Sequence, residues 1–318
     1  MTVIKSNKIL ASPIEYLYDN FLKQLRERKL DRPKIILMNK PFNLYLTDDQ
    51  ADTYIKTIED EIFKKQIYYP FKKLLKKQTE NILAKIEGDL DFIDLGPGYP
   101  DKTLPLLQYL SLHCNSLRYM PVDISKHFLD ITIEFMKKYS YETIPLNCLF
   151  EELPQIMLSH KIFREKRVRL FNIGFTFNNY PSRKIFSLFK KYLANNSVGL
   201  IATETINDDI TKALEPYKTK KAEVFNFMIL QNIGFEQSSF KYFVNYKNSC
   251  IEMGFDVKKD IEISKSLSLK RNDKIITSIS YRYPKEYFIK LVNRHFPKSD
   301  FFWAANSNIC LVKIIGEG

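Results

Sequence analysis

Short runs of consecutive apolar residues alternate along this chain with longer stretches in which apolar positions recur every three or four residues. The runs at 91–95, 118–123, 144–149, 168–173 and 198–203 predict strands buried on both faces. The patterns at 102–113, 125–139 and 181–194 predict amphipathic helices between them. This rhythm is that of an α/β fold with a parallel, doubly wound sheet. Ahead of it the pattern is irregular and helical to about Leu46, then helix-rich from Asp49 to Lys85. The rhythm breaks near Glu204. A helical pattern from Ile206 to Phe240 precedes strand-like runs near 241–246, 250–256, 261–269 and 274–283, and the alternation along 275–281 predicts a half-buried antiparallel strand. A helix from Pro284 to His295 and strands near 300–303 and 308–315 would return the chain to the first sheet. The interrupting piece therefore reads as an inserted domain, with no internal repeat and no low-complexity linker.

The chemistry concentrates where the first of these strands ends. Asp91-Phe92-Ile93-Asp94-Leu95 runs into the glycine turn Gly96-Pro97-Gly98, and a helical pattern follows directly. Such a turn lets backbone approach a ligand at the carboxyl edge of a sheet. The next strand ends in Asp123, 25 positions after Gly98, close to the spacing at which an acid after the second strand meets a ribose. Turn and acid together predict a nucleoside site. A dinucleotide needs a third glycine so that its pyrophosphate can sit on the helix N-terminus, and bulkier Asp101 and Lys102 occupy that place, which disfavours NAD. Asp-Leu-Gly-x-Gly suits a nucleoside without phosphates, of which S-adenosylmethionine (SAM) is the common example.

Composition narrows the class. A chain of 318 residues with 45% apolar and 14% aromatic residues buries a large core or two modest ones and is not a disordered polymer. The four cysteines, Cys114, Cys148, Cys250 and Cys310, are scattered, with no metal spacing and no secretory signal, and read as reduced thiols. No apolar run reaches the roughly 20 residues that cross a bilayer, so the cytoplasm is expected. His113, His127, His160 and His295 lack paired ligand spacing, and no metal is expected. No Gly-x-Ser-x-Gly elbow points to a hydrolase. The net charge of +12 is concentrated in lysine pairs at 64–65, 72–73, 76–77 and 190–191 and in Lys218, Lys220 and Lys221. The pairs from 64 to 77 fall at helical spacing and read first as one solvated helix face, with nucleic acid and an acidic peptide substrate as equal, lesser expectations.

Several segments, in order, resemble the histidine-specific methyltransferase family, whose best-known member trimethylates histidine on the way to ergothioneine. They are Ile67-Tyr68-Tyr69-Pro70, Asp94-Leu95-Gly96-Pro97-Gly98, Asp101-Lys102-Thr103, Tyr119-Met120-Pro121-Val122-Asp123-Ile124-Ser125, Glu151-Glu152-Leu153-Pro154 and the stretch Asn172 to Pro181. Phe225-Asn226, Ile251-Glu252-Met253 and the run Ser278 to Tyr283 follow. The resemblance covers the chain from about Tyr45 to its end. It implies a Rossmann-like class I methyltransferase core with an inserted α+β substrate domain, divided as 1–62 (N-terminal part of the substrate domain), 63–204 (core), 205–283 (inserted part) and 284–318 (return to the core). It further implies SAM as cofactor, with Gly96, Gly98 and Lys102 near its methionine end, Asp123 at the ribose and Phe150 near the adenine. Asn179, Tyr217, Tyr69 and Tyr45 would meet the substrate, although Asn178-Asn179 also suits a simple turn before Pro181. No residue is implied as a covalent catalyst.

The departures are as informative. Where the family has Glu-x-Ser against the imidazole of histidine, this chain has Ser278-Ile279-Ser280, and a lost acceptor argues against histidine as substrate. Leu149 stands in place of an aspartate for the adenine amine, and Tyr99 and Pro100 alter the turn. The expected function is a SAM-dependent N-methyltransferase acting in line on a neutral nitrogen of an amino acid, related amine or peptide. Two other readings stay open at this stage: a cofactor-binding or catalytically decayed regulatory protein, and an RNA methyltransferase. Oligomeric state is not predicted.

Overall fold

The computed structural model describes residues 3–5, 12–27, 33–193, 197–207 and 209–316. The chain folds as two compact units, one comprising Met1–Ile9, Lys64–Asn207 and Tyr283–Gly318, the other Leu10–Phe63 and Asp208–Arg282.

The first unit is α/β. Its sheet runs in the order Ile4–Lys5, Leu146–Asn147, Ser116–Asp123, Asp89–Leu95, Val168–Ile173, Ser197–Glu204, Ile309–Ile315, Ser299–Trp303, with Glu142–Thr143 beside Ser116–Asp123. All pairs are parallel except the last two, where the chain returns from the helix Lys285–His295 and pairs Ile309–Ile315 antiparallel to Ser197–Glu204. Consecutive residues of the central strand, Leu90 to Leu95, are buried, as expected of a parallel strand covered on both faces. Helices Leu104–His113, Lys126–Met136 and Ser182–Tyr192 link the strands. The helix Tyr69–Leu83 buries Phe71, Leu74, Leu75, Ile82 and Leu83 and leaves Lys73, Lys76 and Lys77 exposed.

A buried ion cluster lies in this sheet. Asp91 accepts from Arg118 Nε (2.7 Å) and Nη2 (2.9 Å) and from Arg167 Nε (2.8 Å). Three charge-assisted donors satisfy the carboxylate and tie neighbouring strands together, which is the condition under which a buried ion is tolerated.

The second unit is α+β. Its sheet runs Ile35–Leu37, Lys274–Tyr281, Cys250–Val257, Phe240–Lys247, with the first pair parallel and the others antiparallel. Helices Pro13–Glu27 and Lys220–Asn232 pack Leu17, Phe21, Leu25, Phe227 and Ile229 into a core with Ile36, Phe255 and Ile275. Thr47 and Gln50 form a reciprocal capping box at the start of the helix Asp48–Ile58.

Several expectations are corrected. Ile4–Lys5 lies in the sheet of the first unit, not with the remainder of 1–62, because it extends the sheet by pairing with Leu146–Asn147. Ile35–Leu37 is a strand in a stretch expected to be irregular and helical; three residues are too few to show a period and are held by Lys274–Ile276. The strand expected at 144–149 is two short ones, Glu142–Thr143 and Leu146–Asn147, interrupted near Pro145, and the one expected at 261–269 is the hairpin Ile261–Ser264 and Leu267–Leu269. The helical stretch from Ile206 divides into Ile210–Leu214, a tight turn Glu215–Tyr217 and Lys220–Asn232. A helix at Leu153–Ser159 had no counterpart in the pattern.

The antiparallel sheet contains a β-bulge. Met253 pairs with Ser278 but Gly254 pairs with Ile276, so Thr277 is the extra residue. Close approach is possible because position 254 has no side chain; a Cβ there would stand 2.2 Å from the carbonyl oxygen of Ile275. We expect Gly254→Ala to destabilise the protein by about 3 kcal/mol, at the upper end for overpacking because the obstacle is backbone. Equilibrium urea denaturation measures this, and an unchanged midpoint would contradict it.

Candidate active site

The glycine turn begins where the strand Asp89–Leu95 ends. Gly96 (φ +68°) and Gly98 (φ +57°) both adopt the left-handed conformation that favours glycine. The N–H of Gly96 donates to Val122 O (2.8 Å), which fixes the turn against the neighbouring strand. A Cβ at Gly96 would meet Thr176 Oγ1 at 2.9 Å and Phe150 Cζ at 3.2 Å. Three segments distant in sequence thus converge on one backbone position, and Thr176 Oγ1 also donates to Gly96 O (3.2 Å).

Beneath the turn is Asp94, 1% exposed. Its carboxylate accepts from Thr103 Oγ1 (2.9 Å), Tyr119 OH (2.9 Å) and Asn172 Nδ2 (2.7 Å). Burial raises its pKa, and the three donors and the charge of Lys102 hold part of that rise back. Burial, with the negative charge of Asp94, pushes the Tyr119 phenol well above its usual range, so Tyr119 remains a donor. The motif letters Asp94, Thr103, Tyr119 and Asn172 are therefore one hydrogen-bonded hub, an arrangement the sequence reading did not assign.

Asp123 ends the adjacent strand and accepts from the N–H of Ser125 (2.9 Å). Its carboxyl is pushed up to about 7, chiefly by burial, against the lowering effect of backbone donors at Ser125 and Ile124 and with a smaller upward push from Asp94. Asn147 Nδ2 clamps the same bend by donating to Asp123 O (3.0 Å) and Ile124 O (2.8 Å). Phe150 is buried, with its ring centroid 5.9 Å from that of Tyr180, and its carbonyl accepts from Tyr192 OH. Lys102 is half-buried at the end of the short turn Pro100–Lys102.

Tyr68 also reaches this turn. Its OH donates to Asp101, Lys72 Nζ lies 3.3 Å from Asp101 Oδ2, and Lys72 stands 4.8 Å from the centre of the Tyr68 ring. Tyr69, the tyrosine expected to meet the substrate, is 47% exposed beside it, with ring centroids 5.7 Å apart. Tyr68 is the last residue of the π-helical turn Lys64–Tyr68, and Tyr69 opens the helix Tyr69–Leu83. Doubled tyrosines were legible in the sequence; which one entered the turn was not. Asn179 is half-buried, while its neighbour Asn178 is a staple, donating to Thr203 Oγ1 (3.0 Å) and Glu204 O (3.4 Å).

The remaining expected residues belong to the second unit. The β-bulge aims the hydroxyls of both Thr277 and Ser278 at Asn226 Oδ1, although successive strand residues ordinarily face opposite ways. The amide of Asn226 is fixed in turn by donating to Ala222 O (2.9 Å). Ser280 is buried opposite Ile251. Tyr217 receives a hydrogen bond from Arg282 Nη2, the guanidinium stands 5.7 Å from its ring centre, and its carbonyl accepts from Tyr242 OH (2.9 Å). Tyr217, Tyr242, Val244 and Tyr246 surround Leu214, Ile251 and Met253. Tyr45 lies apart from this cluster, against Tyr54 (5.4 Å) and Phe225 (5.8 Å). Among the described residues no group of His, Cys, Asp and Glu could hold a metal ion, and no helix is long and apolar enough to cross a membrane.

Residues 57–315 match the family described as histidine-specific methyltransferase, SAM-dependent. No curated protein matches the chain. Among solved structures, a SAM-dependent methyltransferase from Clostridium acetobutylicum ATCC 824 is similar at 10% identity, over 84% of this chain and 99% of that one, with a TM-score of 0.45. The plantazolicin methyltransferase BpumL, in complex with SAH, is similar at 11% identity, over 96% and 99%, with a TM-score of 0.42. The CurJ carbon methyltransferase is similar at 13% identity, over 96% and 67%, with a TM-score of 0.46.

The Asp94 hub has a measurable consequence. In Asp94→Ala three buried donors lose their acceptor, and we expect a loss of about 3 kcal/mol or more, seen as a lower urea midpoint. Amide exchange at Gly96 should also quicken. Retained stability with unchanged exchange would show that the hub does not hold the turn.

Proposed function

The chain belongs to the histidine-specific, SAM-dependent methyltransferase family, and on that premise we propose that it is an N-methyltransferase acting on an amino acid, a related amine or a peptide. The observation that carries the reading is the Gly96–Gly98 turn pinned against Phe150 and Thr176, one strand away from the buried carboxylate of Asp123. The cradle that a Cβ at Gly96 would fill suits the close approach of a ligand to backbone, and the acid at the adjoining strand end suits a ribose diol. In this reading Gly96, Gly98 and Lys102 meet the methionine end of SAM, Asp123 accepts from the ribose hydroxyls and Phe150 borders the adenine.

Held by Gly96, Gly98, Lys102, Asp123 and Phe150, SAM would supply an activated methyl group for in-line transfer to a neutral nitrogen of the acceptor. The residues of this chain contribute position more than covalent chemistry. Lys102 offers a cation to a carboxylate. Asn179 offers the acceptor an amide that donates and accepts at once, and Tyr69 offers it a ring with a polar tip. Ser278 and Ser280 take the place of an imidazole-binding pair.

Calorimetric titration with SAM and SAH tests the reading. We expect Asp123→Ala to weaken binding about tenfold to a hundredfold, the range for a hydrogen bond to a charged group. Wild-type protein that binds neither ligand would overturn the proposal. The carboxyl of Asp123 adds a pH dependence. Ribose donors favour the ionised acid, so below pH 7 binding must release its proton; SAH affinity should rise between pH 5 and 7 by up to about tenfold per pH unit and level off above. Titrations in buffers of different ionisation enthalpy would count that proton. A flat profile would remove Asp123 from the ribose.

A further inference from the structure

Resting on the methyltransferase reading above, we propose that Asp101 binds a primary ammonium, the α-amino group at the methionine end of SAM and SAH, and that Tyr68 and Lys72 hold its carboxylate for that role. Asp101 follows Gly98 closely, in the short turn Pro100–Lys102. Two donors serve one of its oxygens. Tyr68 OH and Lys72 Nζ both reach Oδ2, the latter at 3.3 Å, with the ammonium of Lys72 4.8 Å from the centre of the Tyr68 ring. Among the described residues Oδ1 is shielded from solvent and meets no donor. The side chain as a whole is 20% exposed, so the carboxylate stands at the border of the turn and not in the core. All of these residues belong to the compact unit that carries the glycine turn.

An ionised carboxylate accepts at both oxygens, and an oxygen left dry and bare is unfavourable until a donor meets it. Charge selects that donor. Asp101 is followed directly by Lys102, which is half-buried and whose charge is felt at Asp94 beneath the glycine turn. An acid and a base on successive residues of one short turn suit a group that carries both signs on one carbon, as an α-amino acid does, with its carboxylate to Lys102 and its ammonium to Asp101. Lys72 does not fill this role. Its side chain is 43% exposed and its ion pair with Asp101 is long, so it steadies Oδ2 while adding little and leaves Oδ1 open. Tyr68 and Lys72 are positioning residues, and Asp101 is the one that touches the ligand.

The test is a cycle of two ligands and two proteins, read by calorimetry with no methyl transfer involved: SAH and its analogue lacking the α-amino group, each with wild type and with Asp101→Asn, which keeps the shape and removes the charge. We expect wild type to bind SAH about tenfold to a hundredfold more tightly than the analogue, the range for a hydrogen bond to a charged group, and Asp101→Asn to reduce that preference to about threefold or less. The analogue's own affinity should change little, whereas a variant that merely deformed the turn would weaken both ligands alike. Tyr68→Phe should lower the preference by a smaller factor, and a preference that it leaves untouched would remove Tyr68 from the assignment. If Asp101→Asn does not fold, Asp101→Glu, which keeps the charge and displaces it by a methylene, reads the same loss of preference. Equal affinity of wild type for the two ligands, a preference that survives the change at Asp101, or equal weakening of both ligands would overturn the assignment and leave the methyltransferase reading standing. Wild-type protein that binds neither ligand is a different result, and would remove the reading on which the assignment rests.

Discussion

A carboxylate buried at the carboxyl end of a central parallel strand must be met by donors from its surroundings, and at Asp94 those donors come from three different elements. Thr103 stands at the head of the helix after the turn, Tyr119 on one neighbouring strand and Asn172 at the end of the other. The charge is costly to bury and the hydrogen bonds offset part of that cost, so the three elements are held where all three can form at once. That geometry in turn sets the course of the glycine turn. Gly96 is pinned from the other side by Val122, Phe150 and Thr176. The turn is thus fixed by a buried polar hub below and by packing above.

The parts of this site that were legible in the sequence have local causes. A left-handed backbone favours glycine, and within this turn it occurs at Gly96 and Gly98. A strand-end acid at a set spacing needs only the count of residues, and Asp123 is that acid. The parts that were not legible depend on partners far away in the chain. The donors to Asp94 lie 9, 25 and 78 positions from it, and nothing in a motif says that its letters bond to one another. Tyr68 and Tyr69 are equivalent in sequence, and it is Tyr68, the last residue of a π-helical turn, that reaches Asp101. The strands Ile4–Lys5 and Ile35–Leu37 are too short for any periodicity and exist because a sheet edge is available to them. The long parallel strands, by contrast, carry their own signal, since burial on both faces requires an apolar residue at nearly every position.

The second unit uses irregularity where the first uses a buried charge. An ideal strand would place Thr277 and Ser278 on opposite faces, and Asn226 could then hold one hydroxyl at most. The extra residue in the Lys274–Tyr281 strand brings both hydroxyls to one amide oxygen, and Gly254 leaves room for the strand crossing that makes this possible. A change at position 278 is therefore not independent of its neighbours. With Asn226 Oδ1 facing it, a carboxylate at 278 would set acceptor against acceptor. The amide would have to rotate to offer its donor, giving up Ala222 O and leaving Thr277 with Met253 O in place of Asn226. A serine avoids that conflict because one hydroxyl can donate to the amide and still accept. The loss of the family's carboxylate and the orientation of Asn226 are thus two aspects of one arrangement, a neutral hydrogen-bonded trio whose outward side is an oxygen without charge.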